Sequence, residues 1–310
     1  MNKTNVLSVS GGKDSTAMYL LAMERGIEFR AVFADTGNEH KITLEYIREL
    51  PKRTGGPVIE WVTADFAEDI SRKKRVIADK WARENVPEWK REQAIAALQP
   101  SGHQFLDLCK VHGRFPSTRA RFCSSELKHE PIYRVHESLM DQGKTVISWQ
   151  GVRAEESPRR AALPEMDWPA PNLCNYRPIL RWTLDEVVAI HARHGLELNP
   201  LYQMGMNRVG CMPCIHSRKS EIKRIAELFP EYIEKVEIWE EQVRQAAKRN
   251  EATATFFAQD VTPLGRKTKS PQGIREVVRW AKTGPGGDVR QLTLDLGDDH
   301  QCLSAMGACE

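Results

Sequence analysis

No apolar run in the 310-residue chain approaches the ~20 residues that cross a bilayer, which argues against a membrane-spanning helix. The opening Met1-Asn2-Lys3-Thr4 lacks the apolar stretch of a secretory signal, so the expected compartment is the cytoplasm. There is no internal repeat, which sets aside repeat architectures. An excess of one charge is missing too: a net charge of +3 is too small by itself to argue for nucleic acid. What remains is the profile of an ordinary soluble protein, long enough for one large α/β domain plus an appendage.

The basic residues are unevenly placed. Arg72-Lys73-Lys74-Arg75, residues 114–128, residues 153–160 and residues 266–269 form local clusters. Each reads either as a solvated face or as part of a frame for a phosphate-rich partner. Seven cysteines in a reducing compartment suggest metal or sulfur chemistry more than disulfides.

The most informative stretch is Val6 to Leu21, VLSVSGGKDSTAMYLL. Its left flank is short and β-branched, as in a buried strand. On the right, Ala17, Leu20, Leu21 and Glu24 fall at helical spacing, and Gly26 marks the stop. A tight loop between strand and helix lies where a helix N-terminus presents free N–H groups and the positive end of its dipole. Gly11 and Gly12 admit a phosphate close to the backbone. Lys13 adds a mobile positive charge, and Ser10, Ser15 and Thr16 add donors. The loop is not a Walker A motif, which needs four residues between its first glycine and Gly-Lys-Ser/Thr.

Beyond the loop, residues 29–34 read as a strand ending in the polar Asp35-Thr36-Gly37-Asn38-Glu39, at the sheet edge where α/β folds bind ligands. A helix over 44–50, a strand over 58–62 and a charged helix over 66–84 follow. Residues 125–140 read as helix and 145–149 as a strand closed by Gly151. This alternation predicts a doubly wound parallel sheet with helices on both faces. From Gly151 five prolines (158, 164, 169, 171, 178) predict a loop-rich, substrate-facing lid rather than a core layer. Thr183 and Glu186 form a capping-box pattern for a helix to about His194, stopped by Gly195. A long charged helix over 220–249 breaks near Pro230, and a short one covers 274–282. The expected division is 1–220 for the main domain and 221–310 for a helical extension and tail.

Cys211-Met212-Pro213-Cys214 is a C-x-x-C unit able to hold one metal or cluster. Cys109 and Cys123 lie fourteen positions apart on a segment carrying Arg114, Arg119 and Arg121. Four thiolates suit a tetrahedral zinc as well as an iron–sulfur cluster. Cys174 reads as a buried core thiol.

Ser10-Gly11-Gly12-Lys13-Asp14-Ser15 resembles the PP-loop of the ATP pyrophosphatases, which cleave ATP between the α and β phosphates on a doubly wound sheet. The resemblance implies that Ser10 to Ser15 hold pyrophosphate, that Lys13 neutralises charge, and that Asp14 helps to hold Mg²⁺ or position the loop. Further strings resemble the phosphoadenosine phosphosulfate (PAPS) and adenosine phosphosulfate (APS) reductase family. They are Ala34-Asp35-Thr36-Gly37, the run from Arg121 to Lys128, the run from Trp149 to Ser157, Pro178-Ile179 with Trp182-Thr183, Asn199-Pro200-Leu201-Tyr202, and Gly210 to Cys214. On this resemblance Asp35, Thr36, Gly37, Gly151, Arg153 and Arg160 join the nucleotide site, with Lys13, Asp14 and Arg153 catalytic.

The resemblance to the APS reductases also implies a [4Fe–4S] cluster on Cys123, Cys211 and Cys214. Ser124 replaces one cysteine of that family's adjacent pair, and Cys109 is taken as the fourth ligand. Ser124, Cys302 and Cys309 are the alternatives, and zinc is the alternative metal. True sulfonucleotide reductases lack the full loop, whereas this chain keeps Gly11, Gly12, Lys13 and Asp14. The chain therefore resembles the ATP-using Dnd-type phosphorothioation branch. That implies ATP with Mg²⁺, a sulfur donor protein and a nucleic-acid acceptor, and leaves the oligomeric state, a homodimer included, open. The competing readings are a true sulfonucleotide reductase that releases sulfite and a non-catalytic, nucleotide- and DNA-binding redox regulator.

Overall fold

A computed structural model describes residues 3–248, 256 and 273–283. Strand β1 (Lys3–Ser8) leads into helix α1 (Lys13–Glu24), then β2 (Phe29–Asp35), α2 (Lys41–Thr54) and β3 (Ile59–Thr63). Helices α3 (Ala67–Val76), α4 (Glu88–Ala97), α5 (Gln104–His112) and the single turn α6 (Phe122–Ser124) follow. After them come α7 (Glu130–Asp141), β4 (Thr145–Trp149), the short α8 (Pro158–Ala161), β5 (Met166–Ala170) and β6 (Leu173–Tyr176). The last elements are α9 (Leu184–Arg193), α10 (Pro200–Gln203), α11 (Lys219–Leu228), α12 (Pro230–Ala246) and α13 (Ile274–Ala281). No helix among the described residues is long and apolar enough to cross a membrane.

Two compact units divide these elements. One takes the described residues of Met1–Ala64 and Ser124–Met212, the other those of Asp65–Cys123 and Pro213–Gly297. The first unit holds a six-stranded sheet in the order β3-β2-β1-β4-β6-β5. Every pairing is parallel except β5 with β6. Period-two alternation assigns the faces. Leu7, Ala31, Phe33, Ile147 and Trp149 pack with α1, α2 and α9, while Val6, Val32, Ala34 and Val146 pack against Ile132, Val135 and Leu139 of α7. This is the doubly wound α/β class. Thr183 caps α9 with the capping box to Glu186, as its sequence indicates.

The stretch after Gly151 is more than the loop-rich lid its prolines suggest. The proline-rich stretch after Gly151 does contain a core layer. Within it β6 is buried and pairs in parallel with β4, from Val146↔Leu173 to Trp149↔Tyr176. A four-residue strand with Asn175 at its centre gives no apolar signature. That amide is buried because its Oδ1 accepts from Gln150 (2.9 Å) and its Nδ2 donates to Asp167 (2.9 Å).

The second unit is helical. Helix α12 packs against α4, α5, α11 and α13, with Trp239 set 5.7 Å from the ring of Phe105. Lys90 donates to the carbonyls of Arg244 (3.3 Å) and Gln245 (3.1 Å), which satisfies the last turn of α12. Cys302, Cys309 and the basic cluster at 266–269 lie outside the described residues.

Candidate nucleotide site

The chain runs from β1 to β2 and β3 on one side of the sheet and returns to β4 on the other. The loops leaving β1 and β4 therefore part company side by side, at the crevice where doubly wound folds bind ligands. Residues 9–12 and 150–153 occupy it. Gly151 is what lets them meet: a Cβ there would lie 3.0 Å from both Cα and N of Ser15. Gly11 has φ +78°, and a Cβ there would press on Ile47 at 2.9 Å.

Helix α1 begins without a side-chain cap at Gly12. The loop closes on itself instead. Ser10 N–H donates to Ser15 Oγ (3.1 Å), and the two hydroxyls lie 2.9 Å apart. Ser15 Oγ–H donates to the Gly12 carbonyl (3.2 Å). The first-turn Asp14 is fully buried and carries two cations. Arg153 Nε donates to Oδ1, and Lys13 Nζ lies 2.8 Å from Oδ2 as an ion pair without hydrogen-bond alignment. Arg153 also donates to Glu155 (2.6 Å). Lys13, Asp14 and Arg153 thus form one group at the mouth of the loop. Arg160 is 2 % exposed and pairs with Glu156, so neither arginine belongs to a solvated basic face.

At the end of β2, Asp35 accepts the Gly37 N–H (2.8 Å) and so turns the chain. Thr36 donates to Glu39 from its N–H (3.1 Å) and its hydroxyl (2.8 Å). Glu39 is buried, and burial pushes its carboxyl above the usual range, against the charge of Lys128. Cys211 pairs with Glu39 in a single antiparallel bridge, and its Sγ lies 3.5 Å from Glu39 Oε1. Ser8, Ser10, Ser15, Glu39, Lys128 and Gly151 line one recess beside the loop. Ser8 escaped the sequence reading, and Glu39 and Lys128 entered it only as members of a polar strand-end loop and of a basic, family-like run, not as site residues. Only their positions at strand ends and on the segment before α7 could have flagged them.

The metal expectation meets a mixed geometry. None of the five described cysteines is in a disulfide. In the second unit, the ring of His112 in α5 stacks on Phe122 at 4.0 Å, which lays the α6 turn against α5. Cys109 is buried there; burial, and next the nearby Cys123, push its thiol well above its ordinary range. Cys214 Sγ accepts the His216 N–H (3.5 Å), and its own N–H donates to Ser217 Oγ (3.1 Å). Cys211 belongs to the first unit. Among the described residues no group of three or more His, Cys, Asp or Glu side chains is arranged to hold a metal ion. Two of the four proposed thiols, Cys109 and Cys123, are neighbours within the second unit.

The model of the phosphoadenosine phosphosulfate reductase domain matches residues 4–217. A 37.8 kDa uncharacterised protein from the gpa 5′ region of Escherichia phage 186 is 45% identical, covering 99% of this chain and 96% of that protein. The adenosine 5′-phosphosulfate reductase of Allochromatium vinosum is 38% identical over 106 residues, 34% of this chain and 39% of that enzyme. An uncharacterised protein of Methanocaldococcus jannaschii is 26% identical, and the chain spans 43% of its length. Among solved structures, the PAPS reductase of Candida auris in its phosphate complex aligns with a TM-score of 0.42 at 14% identity, covering 68% of this chain and 81% of that one.

Proposed function

Because the chain belongs to the phosphoadenosine phosphosulfate reductase domain family, we propose that it is an enzyme that binds ATP at Ser10 to Ser15 and cleaves it to AMP and pyrophosphate. An acceptor oxygen attacks the α-phosphorus, and the α–β phosphoanhydride bond breaks. Pyrophosphate leaves with the bonding electrons, and AMP stays on the acceptor. A sulfur nucleophile then displaces AMP. The proposed acceptor is a nucleic acid and the proposed sulfur source a donor protein, as in the Dnd-type branch the sequence resembles.

The observation that carries this reading is a complete loop at the crevice between β1 and β4, with Lys13 and Arg153 gathered on the buried Asp14. The charge that develops on leaving pyrophosphate meets the N-terminus of α1 and the Lys13 ammonium. Asp14 pairs with both cations, an arrangement that supports a role in positioning the loop beside its proposed part in holding Mg²⁺. One carboxylate and two hydroxyls do not make a Mg²⁺ cage. They suit a Mg²⁺ that arrives with the nucleotide and is held mainly by phosphate oxygens and water. Cys109, Cys123, Cys211 and Cys214 remain the proposed ligands of an iron–sulfur cluster, with zinc as the alternative. The neighbouring Cys109 and Cys123 support this, and no step above runs through it.

The test is pyrophosphate release from ATP. Lys13→Ala and Asp14→Ala should each lose at least ~1.4 kcal/mol, a factor of ~10, in ATP binding or turnover. Parental behaviour in both variants would refute the loop assignment. The A. vinosum relative favours sulfonucleotide reduction as the second reading. Sulfite released from PAPS or APS with a thiol reductant, and no pyrophosphate from ATP, would select it.

A further inference from the structure

Three backbone donors in and after the loop are met by hydroxyls. Ser10 N–H donates to Ser15 Oγ (3.1 Å) and Gly12 N–H to Ser10 Oγ (3.4 Å), both within the loop. Lys13 N–H, the first of the helix, donates instead to a hydroxyl 189 residues away, Tyr202 Oη, at 3.2 Å. Tyr202 is held in place by its own short helix. Asn199 caps α10 by accepting the Leu201 N–H (3.1 Å), and its Nδ2 donates back to the Gly11 carbonyl (3.3 Å) and to Thr43 Oγ1 (3.4 Å). The Lys13 ammonium stands 5.6 Å from the Tyr202 ring centroid. On the recess side of the loop, Ser8 Oγ is buried, has no hydrogen-bond partner and lines the recess with Ser10, Ser15 and Gly151. An orphaned buried hydroxyl beside a row of N–H donors points to a bound ligand with acceptor atoms.

The chemistry of the pair gives the direction. An amide N–H only donates, and a phosphate oxygen only accepts, so an incoming phosphate competes with Tyr202 for Lys13 N–H. A phenol hydroxyl does both. The proton and the accepting lone pair are separate, so the same hydroxyl can turn its O–H to the phosphate oxygen that replaces it on Lys13 N–H. We propose that Tyr202 is a phosphate ligand of this loop: its hydroxyl accepts from Lys13 N–H in the empty state and donates to the phosphate oxygen that takes its place. The ligand class is a pyrophosphate or the polyphosphate of a nucleotide. The inference rests on the nucleotide reading above and adds a residue that the loop sequence does not contain.

Tyr202→Phe keeps the ring and its packing and removes only the hydroxyl. The full-length variant and the parent are titrated calorimetrically with inorganic pyrophosphate, with ATP and Mg²⁺, and with adenosine. Pyrophosphate and ATP are expected to bind roughly tenfold more weakly to the variant, the size of one hydrogen bond to a charged group, with adenosine affinity unchanged. A merely structural role would move all three ligands together and would overturn the proposal. Unchanged pyrophosphate affinity would overturn it too. Tighter pyrophosphate binding would show that the hydroxyl only blocks Lys13 N–H, and would also overturn it. A parent that binds neither pyrophosphate nor ATP would sink the loop reading itself rather than the role of Tyr202 within it.

Discussion

Gly151→Ala is the sharpest probe of how the site is assembled. Gly151 does not lie in the left-handed region, so backbone strain plays no part and the effect is steric. The new methyl carbon would stand 3.0 Å from Ser15 Cα, 3.0 Å from Ser15 N and 3.3 Å from Asp14 C. All three are backbone atoms of α1, so no flexible side chain can swing away. Ordinary contact needs a separation larger by about 0.4 Å or more. Helix α1 cannot retreat, because Ala17, Met18, Leu20 and Leu21 are locked in the core. Nor can β4, which is hydrogen-bonded to both β1 and β6. Overpacking of this kind costs about 1–3 kcal/mol. At roughly 2–4 °C per kcal/mol for a chain of this size, the melting midpoint should fall by about 2–12 °C. Relief must come from the 150–153 loop, which parts from the Ser10–Ser15 loop and pulls Arg153 off Asp14. Pyrophosphate affinity should therefore fall about tenfold as well. Differential scanning calorimetry and pyrophosphate titration read the two effects. A variant with the parental midpoint and the parental affinity would refute the close-approach argument.

Other perturbations separate the remaining contributions. Arg153→Gln strips buried Asp14 of its hydrogen-bonded cation; denaturation should show a loss of about 3 kcal/mol, and pyrophosphate titration at low salt a weaker site, whereas parental values in both would remove Arg153 from the group. Anaerobically purified protein should be brown and bleach on reduction. Cys→Ser at 109, 123, 211 or 214 should each lose that colour, and Cys174→Ser, in buried β6, should keep it; a colourless protein with stoichiometric zinc would reject the cluster. His136 is fully buried, neither ring nitrogen has a hydrogen-bond partner, and burial pushes its pKa down to about 4. The unfolded chain, with a histidine near 6.5, binds the extra proton first. The stabilisation is thus complete above pH 6.5 and is lost as pH falls toward 4, by ~3 kcal/mol in total. His136→Phe should flatten that part of the stability–pH curve, and an unaltered curve would show that His136 is not its source.

The first four strands of the sheet and the loop between β1 and α1 are legible in local pattern alone. Val6 to Val9, Phe29 to Ala34, Val58 to Val62 and Thr145 to Trp149 are short β-branched or aromatic runs, and such runs keep their meaning wherever they lie. The capping box at Thr183 was equally legible, because a cap is a contact between residues three apart. Partnerships between residues far apart in sequence emerge only in the folded chain. β6 is a core strand because Gln150 and Asp167 satisfy Asn175 from other segments, a partnership no local pattern encodes. Arg153 reads as one cation in a basic run, yet it is buried on Asp14, 139 positions away. Tyr202 sits in a short helix with no phosphate signature of its own. It belongs to the loop only because Asn199 ties α10 to Gly11 and the phenol lands on Lys13 N–H. Local chemistry set the donors of this site, and long-range packing chose what faces them.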